Sequence, residues 1–148
     1  MPPSPVATED PSVIRVLVAD DHAVVCDGLR LLLSKEPDLD VVATAVDGAH
    51  AVALATRQRP DVVVMDLSMP TLSGVEATRQ LKHASPDTRV LILSGQGRGA
   101  VIRAAYAAGV SGYLSKNVRA ADLLDAIRRT HAGESVFSAG TARPMSRA

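Results

Sequence analysis

The chain has 148 residues, which suits one compact domain and leaves little room for a second. Apolar residues make up 47% and charged residues 22%, so a packed core is expected, while no apolar run is long enough to cross a bilayer. Sixteen basic and sixteen acidic residues cancel, so bulk charge gives no support for binding DNA or an anionic membrane. A single cysteine excludes an internal disulfide and a cysteine-rich zinc site.

The two ends of the chain differ in composition from its middle. Residues 1–12 are rich in proline and serine, and we expect a disordered lead-in. This segment lacks the basic flank and the apolar stretch of a signal peptide, which indicates a soluble, cytoplasmic protein. The folded domain is predicted over residues 13–133. Residues 134–148 are small, polar and basic, and are expected to form the start of an interdomain linker or a C-terminal tail.

Short apolar runs alternate with longer segments of helical periodicity throughout the predicted domain. Five of the runs are predicted as strands: Val13–Ala19, Leu39–Val46, Asp61–Asp66, Thr88–Ser94 and Val110–Lys116. The first, third and fourth are apolar almost throughout, which indicates burial on both faces and a parallel sheet covered by helices on either side. Right-handed crossovers then predict a doubly wound, five-stranded α/β sheet.

A helix is predicted after each strand. Pro60 stops the second helix, and Gly109 and Gly133 are expected to end the fourth and fifth. The segment before the fourth helix, residues 95–100, contains three glycines, each of which lowers helix stability by up to about 1 kcal/mol. We therefore expect this segment to be mobile and the fourth helix to begin late or to fray.

Reactive side chains stand where the predicted strands end. They are Asp20 and Asp21 after the first strand, Asp66 at the end of the third, Ser94 of the fourth and Lys116 of the fifth. Taken singly, Asp21 can be a helix cap, Ser94 a turn residue and Lys116 a solvated surface lysine. In a doubly wound sheet, however, ligands bind outside the carboxyl ends of the strands, so the combination predicts a site at this edge.

The residue types at this edge indicate phosphoryl chemistry. Three clustered carboxylates repel one another unless a cation lies among them, and an all-oxygen set favours Mg²⁺. A carboxylate beside the metal can act as a nucleophile and form an aspartyl phosphate, while an amine and a hydroxyl bind the phosphoryl oxygens. Phosphoryl transfer depends mainly on positioning and charge neutralisation, which these groups can supply.

These residues lie in the motifs VADDH, VMDLSMPTLSG, LILSG and GYLSK, through which the chain resembles the receiver domain of bacterial two-component response regulators over about residues 13–133. The segments DDHAVVCDGLRLLL, VSGYLSK and AGES are most similar to the NarL/FixJ subfamily, whose receivers precede a LuxR-type helix-turn-helix domain. The resemblance implies a flavodoxin-like sheet with strand order 2-1-3-4-5.

The resemblance also implies a ligand set for the metal and an acceptor for phosphate. Asp66 would be the phosphoacceptor and a metal ligand. Asp21 would bind Mg²⁺ (or Mn²⁺) directly, and Asp20 would hold a metal-bound water. The backbone carbonyl of Ser68 would complete the protein ligands.

The remaining motif residues would bind phosphate, carry the signal or shape the loop. Lys116 would contact the phosphoryl group, and Ser94, an accepted variant of the usual threonine, would hydrogen-bond it after rearranging. Tyr113 would be the aromatic switch that turns inward as Ser94 moves. Pro70 and Gly74 would shape the loop that follows the acceptor.

The function implied by the resemblance is a signalling switch rather than an enzyme. A sensor histidine kinase would donate the phosphoryl group, and the signal would reach the face formed by the fourth helix, the fifth strand and the fifth helix. A homodimer on activation is the expected partner state. DNA would be bound only by a helix-turn-helix domain, which these 148 residues lack, so we expect a receiver taken from a transcription regulator; a stand-alone receiver is the alternative.

Two other functions compete with the switch. A phosphatase with an aspartyl-phosphate intermediate would need an acid two positions after the nucleophile, where this chain has Ser68. An atypical receiver could act as a protein-interaction module without phosphorylation. Of the other candidate side chains, His22 is interpreted as a rim residue at a helix start, because hard Mg²⁺ does not favour imidazole. Cys26 is interpreted as a core-facing or semi-exposed thiol rather than a redox sensor.

Overall fold

Strands and helices alternate along the part of the chain that the computed structural model describes, residues 10–95 and 99–137. The strands are β1 (Ile14–Ala19), β2 (Leu39–Ala45), β3 (Val62–Met65), β4 (Arg89–Ser94), β5 (Gly112–Ser115) and β6 (Val136–Phe137). The helices are α1 (Ala23–Ser34), α2 (Gly48–Gln58), α3 (Gly74–Ala84), α4 (Gly99–Ala108) and α5 (Ala120–His131). None of the helices in these ranges combines the length and the apolar character that crossing a membrane requires.

The strands of the described chain form one parallel sheet in the order β2-β1-β3-β4-β5-β6. The predicted five-stranded order 2-1-3-4-5 is confirmed. The sequence did not predict β6, which pairs with β5 at the edge of the sheet and lies in the stretch expected to be a linker. Two residues are too few to show a period-2 pattern, so the sequence carried no signal for this strand.

Helices cover both faces of the sheet, as the apolar strands predicted. One core layer packs the sheet against α2, α3 and α4, and the other packs it against α1 and α5. The residues of β3 are all buried, because this strand lies in the interior of the sheet and its side chains alternate between the two layers. The carboxyl end of β3 is therefore rigidly held.

The helix ends follow local capping chemistry. The side chain of Asp47 accepts a hydrogen bond at the start of α2, and that of Ser73 does so at the start of α3. His22 is the N-cap of α1, so the interpretation of Asp21 as that cap is wrong. Gly109, with a φ of 109°, directly follows α4 and takes the left-handed conformation that was predicted to end it.

Three predicted segments fall partly outside the described residues. They are residues 1–9 of the lead-in, 96–98 of the glycine-rich segment and 138–148 of the expected linker or tail. Of the glycine-rich segment, Gly95 follows β4 and α4 begins at Gly99.

Candidate functional site

Side chains from three strand ends converge at the carboxyl edge of the sheet. Ligand atoms of Asp20, Asp21, His22 and Asp66 all lie within 4.8 Å of one another. The Nζ atom of Lys116 is 2.9 Å from Asp20 Oδ2 and 3.4 Å from Asp66 Oδ2. The structure thus gathers the three acids and the lysine that the sequence placed at the strand ends, and Lys116 is not a freely solvated surface lysine.

Backbone hydrogen bonds fix Asp20, Asp66 and Lys116 just beyond their strands. The amide of Asp20 donates to the last carbonyl of β2 (3.0 Å), and the amide of Asp66 donates to the last carbonyl of β1 (2.9 Å). The amide of Lys116 donates to the last carbonyl of β4 (2.9 Å). The parallel ladder therefore runs one residue past the strands, and the functional groups are carried on rigid backbone.

The loop between β3 and α3 folds back so that its last residues pack against Asp66 and Leu67 at its beginning. A Cβ atom on Gly74 would lie 2.4 Å from the carbonyl oxygen of Asp66, so only glycine fits at this position. The carbonyl of Pro70 accepts hydrogen bonds from the amides of Leu72 (2.8 Å) and Gly48 (3.2 Å), which join this loop to the start of α2. Of the two residues that the sequence assigned to loop shaping, Gly74 thus lies against the backbone of Asp66, and Pro70 links the loop to α2.

A second link joins the same loop to α2. The amide of Ala49 donates to Thr71 Oγ1 (3.1 Å), and Thr71 Oγ1 donates to Asp47 Oδ1 (3.2 Å). Thr71 takes a φ of 67°, an uncommon value for a β-branched residue. Ser68 lies in this loop two residues after the candidate acceptor and is exposed.

The site carries more negative than positive charge. Burial and the charge of Asp20 raise the pKa of Asp66, although Lys116 acts in the opposite direction. Burial also acts to raise the pKa of Asp20, but hydrogen bonds from Lys116 and His22 outweigh it and leave that pKa lowered. Burial acts to lower the pKa of Lys116, yet its hydrogen bond to Asp20 and the charge of Asp66 raise it overall. The lysine thus mainly neutralises Asp20.

These residues fit a hard divalent cation. Carboxylates of both exposed and buried residues face one another, and burial, followed by the charge of Asp20, raises the pKa of Asp66 although Lys116 lies 3.4 Å away. Oxygen ligands of this type suit Mg²⁺ or Mn²⁺, which keep several waters beside one or two carboxylates. An exposed Asp21 next to a buried Asp20 provides such an arrangement at the mouth of the site.

Ser94 and Tyr113 form a buried polar pair next to the carboxylates. Ser94 is 2% exposed and Tyr113 is 1% exposed, and their side chains share a hydrogen bond. Burial raises the pKa of the tyrosine, the bond to Ser94 opposes this, and the nearby charge of Asp66 adds to it. Tyr113 therefore has its ring inside the domain, and the interpretation of Ser94 as a turn residue is wrong because it ends β4.

His22 contributes to the site more than the sequence indicated. Its Nδ1 atom lies 3.1 Å from Asp20 Oδ1 and 3.2 Å from Asp21 Oδ1, and its backbone amide donates to Asp20 Oδ1. Its place directly after the acidic pair was the available signal, but the sequence does not fix the direction of the ring. Cys26 is 4% exposed and its Sγ lies 3.3 Å from the carbonyl of Asp20, so the prediction of a core-facing thiol is confirmed.

The fold and the acidic edge together define a response regulator receiver. The family described as the response regulator receiver domain matches residues 16–128. The chain belongs to this family, and it is therefore a signalling receiver domain.

Individual relatives place it among LuxR-family regulators. The response regulator protein VraR of Staphylococcus aureus is 41% identical over 124 residues, which cover 84% of this chain and 59% of the relative. The chain thus spans about three fifths of the length of the curated relatives it matches. A LuxR-family two-component response regulator from Aurantimonas sp. SI85-9A1 is 38% identical, with a TM-score of 0.82 over 86% of this chain and 91% of that one.

A second solved structure is similar over the receiver alone. The signal receiver domain of the response regulator NarL from Mycobacterium tuberculosis is 31% identical, with a TM-score of 0.80. The match covers 84% of this chain and all of that one. The predicted fold and subfamily are confirmed by these likenesses.

Proposed function

We propose that this domain is switched by phosphorylation of Asp66, with a sensor histidine kinase as donor and Mg²⁺ or Mn²⁺ bound among Asp20, Asp21, Asp66 and the carbonyl of Ser68. The observation that carries the proposal is a buried carboxylate at the end of β3, 3.4 Å from the ammonium group of Lys116. A nucleophile and a counter-charge for phosphate are thereby held on rigid backbone at one point.

The phosphoryl group would pass from a histidine of the kinase to Asp66 in one displacement step. A carboxylate oxygen of Asp66 attacks the phosphorus of a phosphohistidine, the P–N bond breaks, and the imidazole nitrogen leaves with the electron pair. Lys116 offsets the charge of the transferred group, and Ser94 supplies a hydroxyl for one of its oxygens. The bound cation supplies further neutralisation of phosphoryl and carboxylate oxygens.

The signal would leave the site through Ser94 and Tyr113. Their shared hydrogen bond connects the end of β4 to the middle of β5, so a Ser94 hydroxyl drawn to a phosphoryl group carries the tyrosine with it. The face of α4, β5 and α5 then shifts between two populated arrangements. In a longer protein this face would control a helix-turn-helix domain or a homodimer. We expect the switch to operate in the cytoplasm.

Mass spectrometry of the intact chain tests the proposal. Incubation with Mg²⁺ and acetyl phosphate is expected to add the mass of one phosphoryl group, and chelation of the metal is expected to abolish the gain. The variant Asp66→Asn should gain no mass, while Asp40→Asn, which changes an exposed carboxylate of β2, should behave like the native chain. An unmodified native chain would instead favour the phosphorylation-independent interaction module.

The phosphatase alternative is separated by a second measurement. A phosphatase would hydrolyse small phosphate esters with repeated turnover, whereas a switch retains its phosphoryl group and turns over slowly. Ser68, the residue at the position where such an enzyme needs an acid, has no carboxyl group to protonate a leaving group. We therefore expect no multiple turnover of a chromogenic phosphate ester under conditions that phosphorylate Asp66.

A further inference from the structure

Lys82 lies at the opposite end of the sheet from the acidic site. It belongs to the last turn of α3, and its Nζ atom donates a hydrogen bond to the backbone carbonyl of Thr88 (3.2 Å), the residue before β4. Roughly 17 Å of strand, from Arg89 to Ser94, separates this end of the sheet from the acidic edge. Lys82 therefore takes no part in the site described above.

The aliphatic part of Lys82 packs against the residue that follows α4. A Cβ atom built on Gly109 would lie 3.0 Å from Cγ, 3.3 Å from Cδ and 3.5 Å from Cε of the lysine, so the lysine side chain runs across this glycine. Together with the bond to Thr88, this packing holds the amine of a half-buried side chain in one place.

A groove of about 450 Å³ opens beside Lys82. Its lining is polar apart from one proline and consists of Asp61, Lys82, Pro86, Asp87, Arg89, Ser111 and His131. The groove gives a small molecule access to the lysine, and Arg89 presents a guanidinium group to an anion that enters it. Of the two acids, Asp61 already accepts a hydrogen bond from the backbone amide of Arg15 (2.9 Å).

The surroundings of Lys82 favour its neutral amine. Burial lowers the pKa of this lysine and the charge of Arg89 lowers it further, while Asp87 acts in the opposite direction. The other titratable groups of the groove are Asp61, before β3, and His131, at the end of α5. Desolvation and an adjacent cation are two means by which proteins make a lysine nucleophilic.

We propose that Lys82 is an acylation site, at which an acyl phosphate transfers its acyl group to the Nζ atom. The free amine attacks the carbonyl carbon, the bond from that carbon to the phosphate oxygen breaks, and the phosphate leaves with the electron pair. The proton lost by the nitrogen goes to the departing phosphate. Arg89 attracts the phosphate end of the donor, and acylation ends the repulsion between Lys82 and Arg89 by removing the charge of the lysine.

The chain provides its own comparison, because its three lysines have different surroundings. Lys35 is exposed at the end of α1, whereas Lys116 is held by Asp20 and Asp66. After incubation with acetyl phosphate at pH 8, peptide mass spectrometry should find Lys82 acetylated at least about fivefold faster than Lys35, with Lys116 the slowest. A rate at Lys82 equal to or below that at Lys35 would overturn the proposal.

Two changes of condition test whether the folded surroundings cause the difference. The rate advantage of Lys82 over Lys35 should shrink as the pH is raised toward 10, because both lysines then become neutral amines. It should also disappear in concentrated urea, where the groove no longer exists. An advantage that persists in urea would assign the reactivity to the local sequence and overturn the proposal.

Variants test the part played by the neighbouring cation. Arg89→Gln should shift the pH profile of Lys82 acetylation to higher pH and slow the reaction at pH 8, whereas Arg119→Gln, whose native side chain is 87% exposed, should change neither. An unchanged profile in Arg89→Gln would contradict the mechanism.

Two further variants separate acylation from phosphorylation. Lys82→Arg should lose acetylation at this position and still gain phosphate, because Asp66 reacts with the phosphorus of the donor rather than with its carbon. Asp66→Asn should keep the acetylation of Lys82. A failure of the proposed phosphorylation therefore leaves this test intact, and loss of Lys82 acetylation in Asp66→Asn would overturn an independent acylation site.

Discussion

Asp66 is a charged group held where its charge is disfavoured. Burial, followed by the charge of Asp20, raises the pKa of its carboxyl group above the value in the unfolded chain. A folded pKa above the unfolded one means that the folded state binds the proton more tightly. Stability is therefore lost as the pH rises from the unfolded pKa through the folded pKa, and the penalty is complete above the folded pKa.

The substitution Asp66→Asn should stabilise the domain while abolishing phosphorylation. Without divalent cations at pH 7, we expect the free energy of unfolding to rise by about 1 kcal/mol, a usual size for one stabilising substitution. The gain should vanish as the pH falls below about 4, where the native carboxyl group is protonated in both states. Urea unfolding across this pH range measures the difference.

An exposed carboxylate gives the control for this comparison. Asp40→Asn should change stability by no more than about 0.5 kcal/mol at either pH, because Asp40 is solvent-exposed on β2. A variant Asp66→Asn that is less stable than the native chain at pH 7 would show that its carboxylate is already compensated by Lys116.

The positions of Asp20, Asp21, Asp66 and Lys116 were predictable because parallel topology brings the carboxyl ends of strands to one edge. Side-chain geometry was not. Sequence pattern gives no rotamer, so it could not show that the His22 ring contacts both acids of the first strand end. Nor could it show which acid the lysine neutralises, since that depends on a difference between 2.9 and 3.4 Å.

Two glycines show how an element is fitted to the site. Gly74 begins α3 with no room for a Cβ atom, which would lie 2.4 Å from the carbonyl oxygen of Asp66 and 2.9 Å from Cα of Leu67. Gly28 lies inside α1 with nothing within 4 Å of a Cβ atom. Gly74 is therefore required by its close approach to the backbone of Asp66 and Leu67, whereas Gly28 only lowers the helix propensity of α1.

The paired substitutions Gly74→Ala and Gly28→Ala should have opposite signs. Gly74→Ala forces the α3 start away from the acceptor and should lower the free energy of unfolding by about 2 kcal/mol, with slower phosphorylation of Asp66. Gly28→Ala should raise it by up to about 1 kcal/mol without changing that rate. Chemical denaturation and intact mass measure the two effects. An equally well tolerated Gly74→Ala would contradict the close packing of this loop.

The longer elements were predictable and the shortest was not. The apolar runs of β1, β3 and β4 are long enough to show burial on both faces, and Gly109 marked the end of α4. The pairing of β6 depends on the absence of one Cβ atom at Gly112, a contact between segments 24 positions apart in sequence. Local pattern cannot report such a contact.

Across the whole molecule, strand ends distant in sequence form the acidic site, so a cation that binds there would be linked to folding. A ligand that binds only the folded state adds about 2.7 kcal/mol at one hundred times its Kd. Mg²⁺ should therefore raise the thermal midpoint in a concentration-dependent way, and a chelator should reverse the rise. Asp21→Ala should largely remove the response, whereas Asp40→Ala should retain it. A response of equal size in both variants would place the ion elsewhere.

The hydrogen-bond ladder continues into Asp20, Asp66 and Lys116, so the site forms only when strands from distant parts of the chain have assembled. Asp66 comes from the middle of the chain, while Lys116, whose ammonium group lies 3.4 Å from it, follows the fifth strand and is positioned by the end of β4. A nascent chain that has not yet been synthesised to residue 116, or a chain whose β5 has detached from the sheet, has Asp66 without Lys116 beside it. The Asp66–Lys116 pair is therefore complete only after the whole sheet has formed.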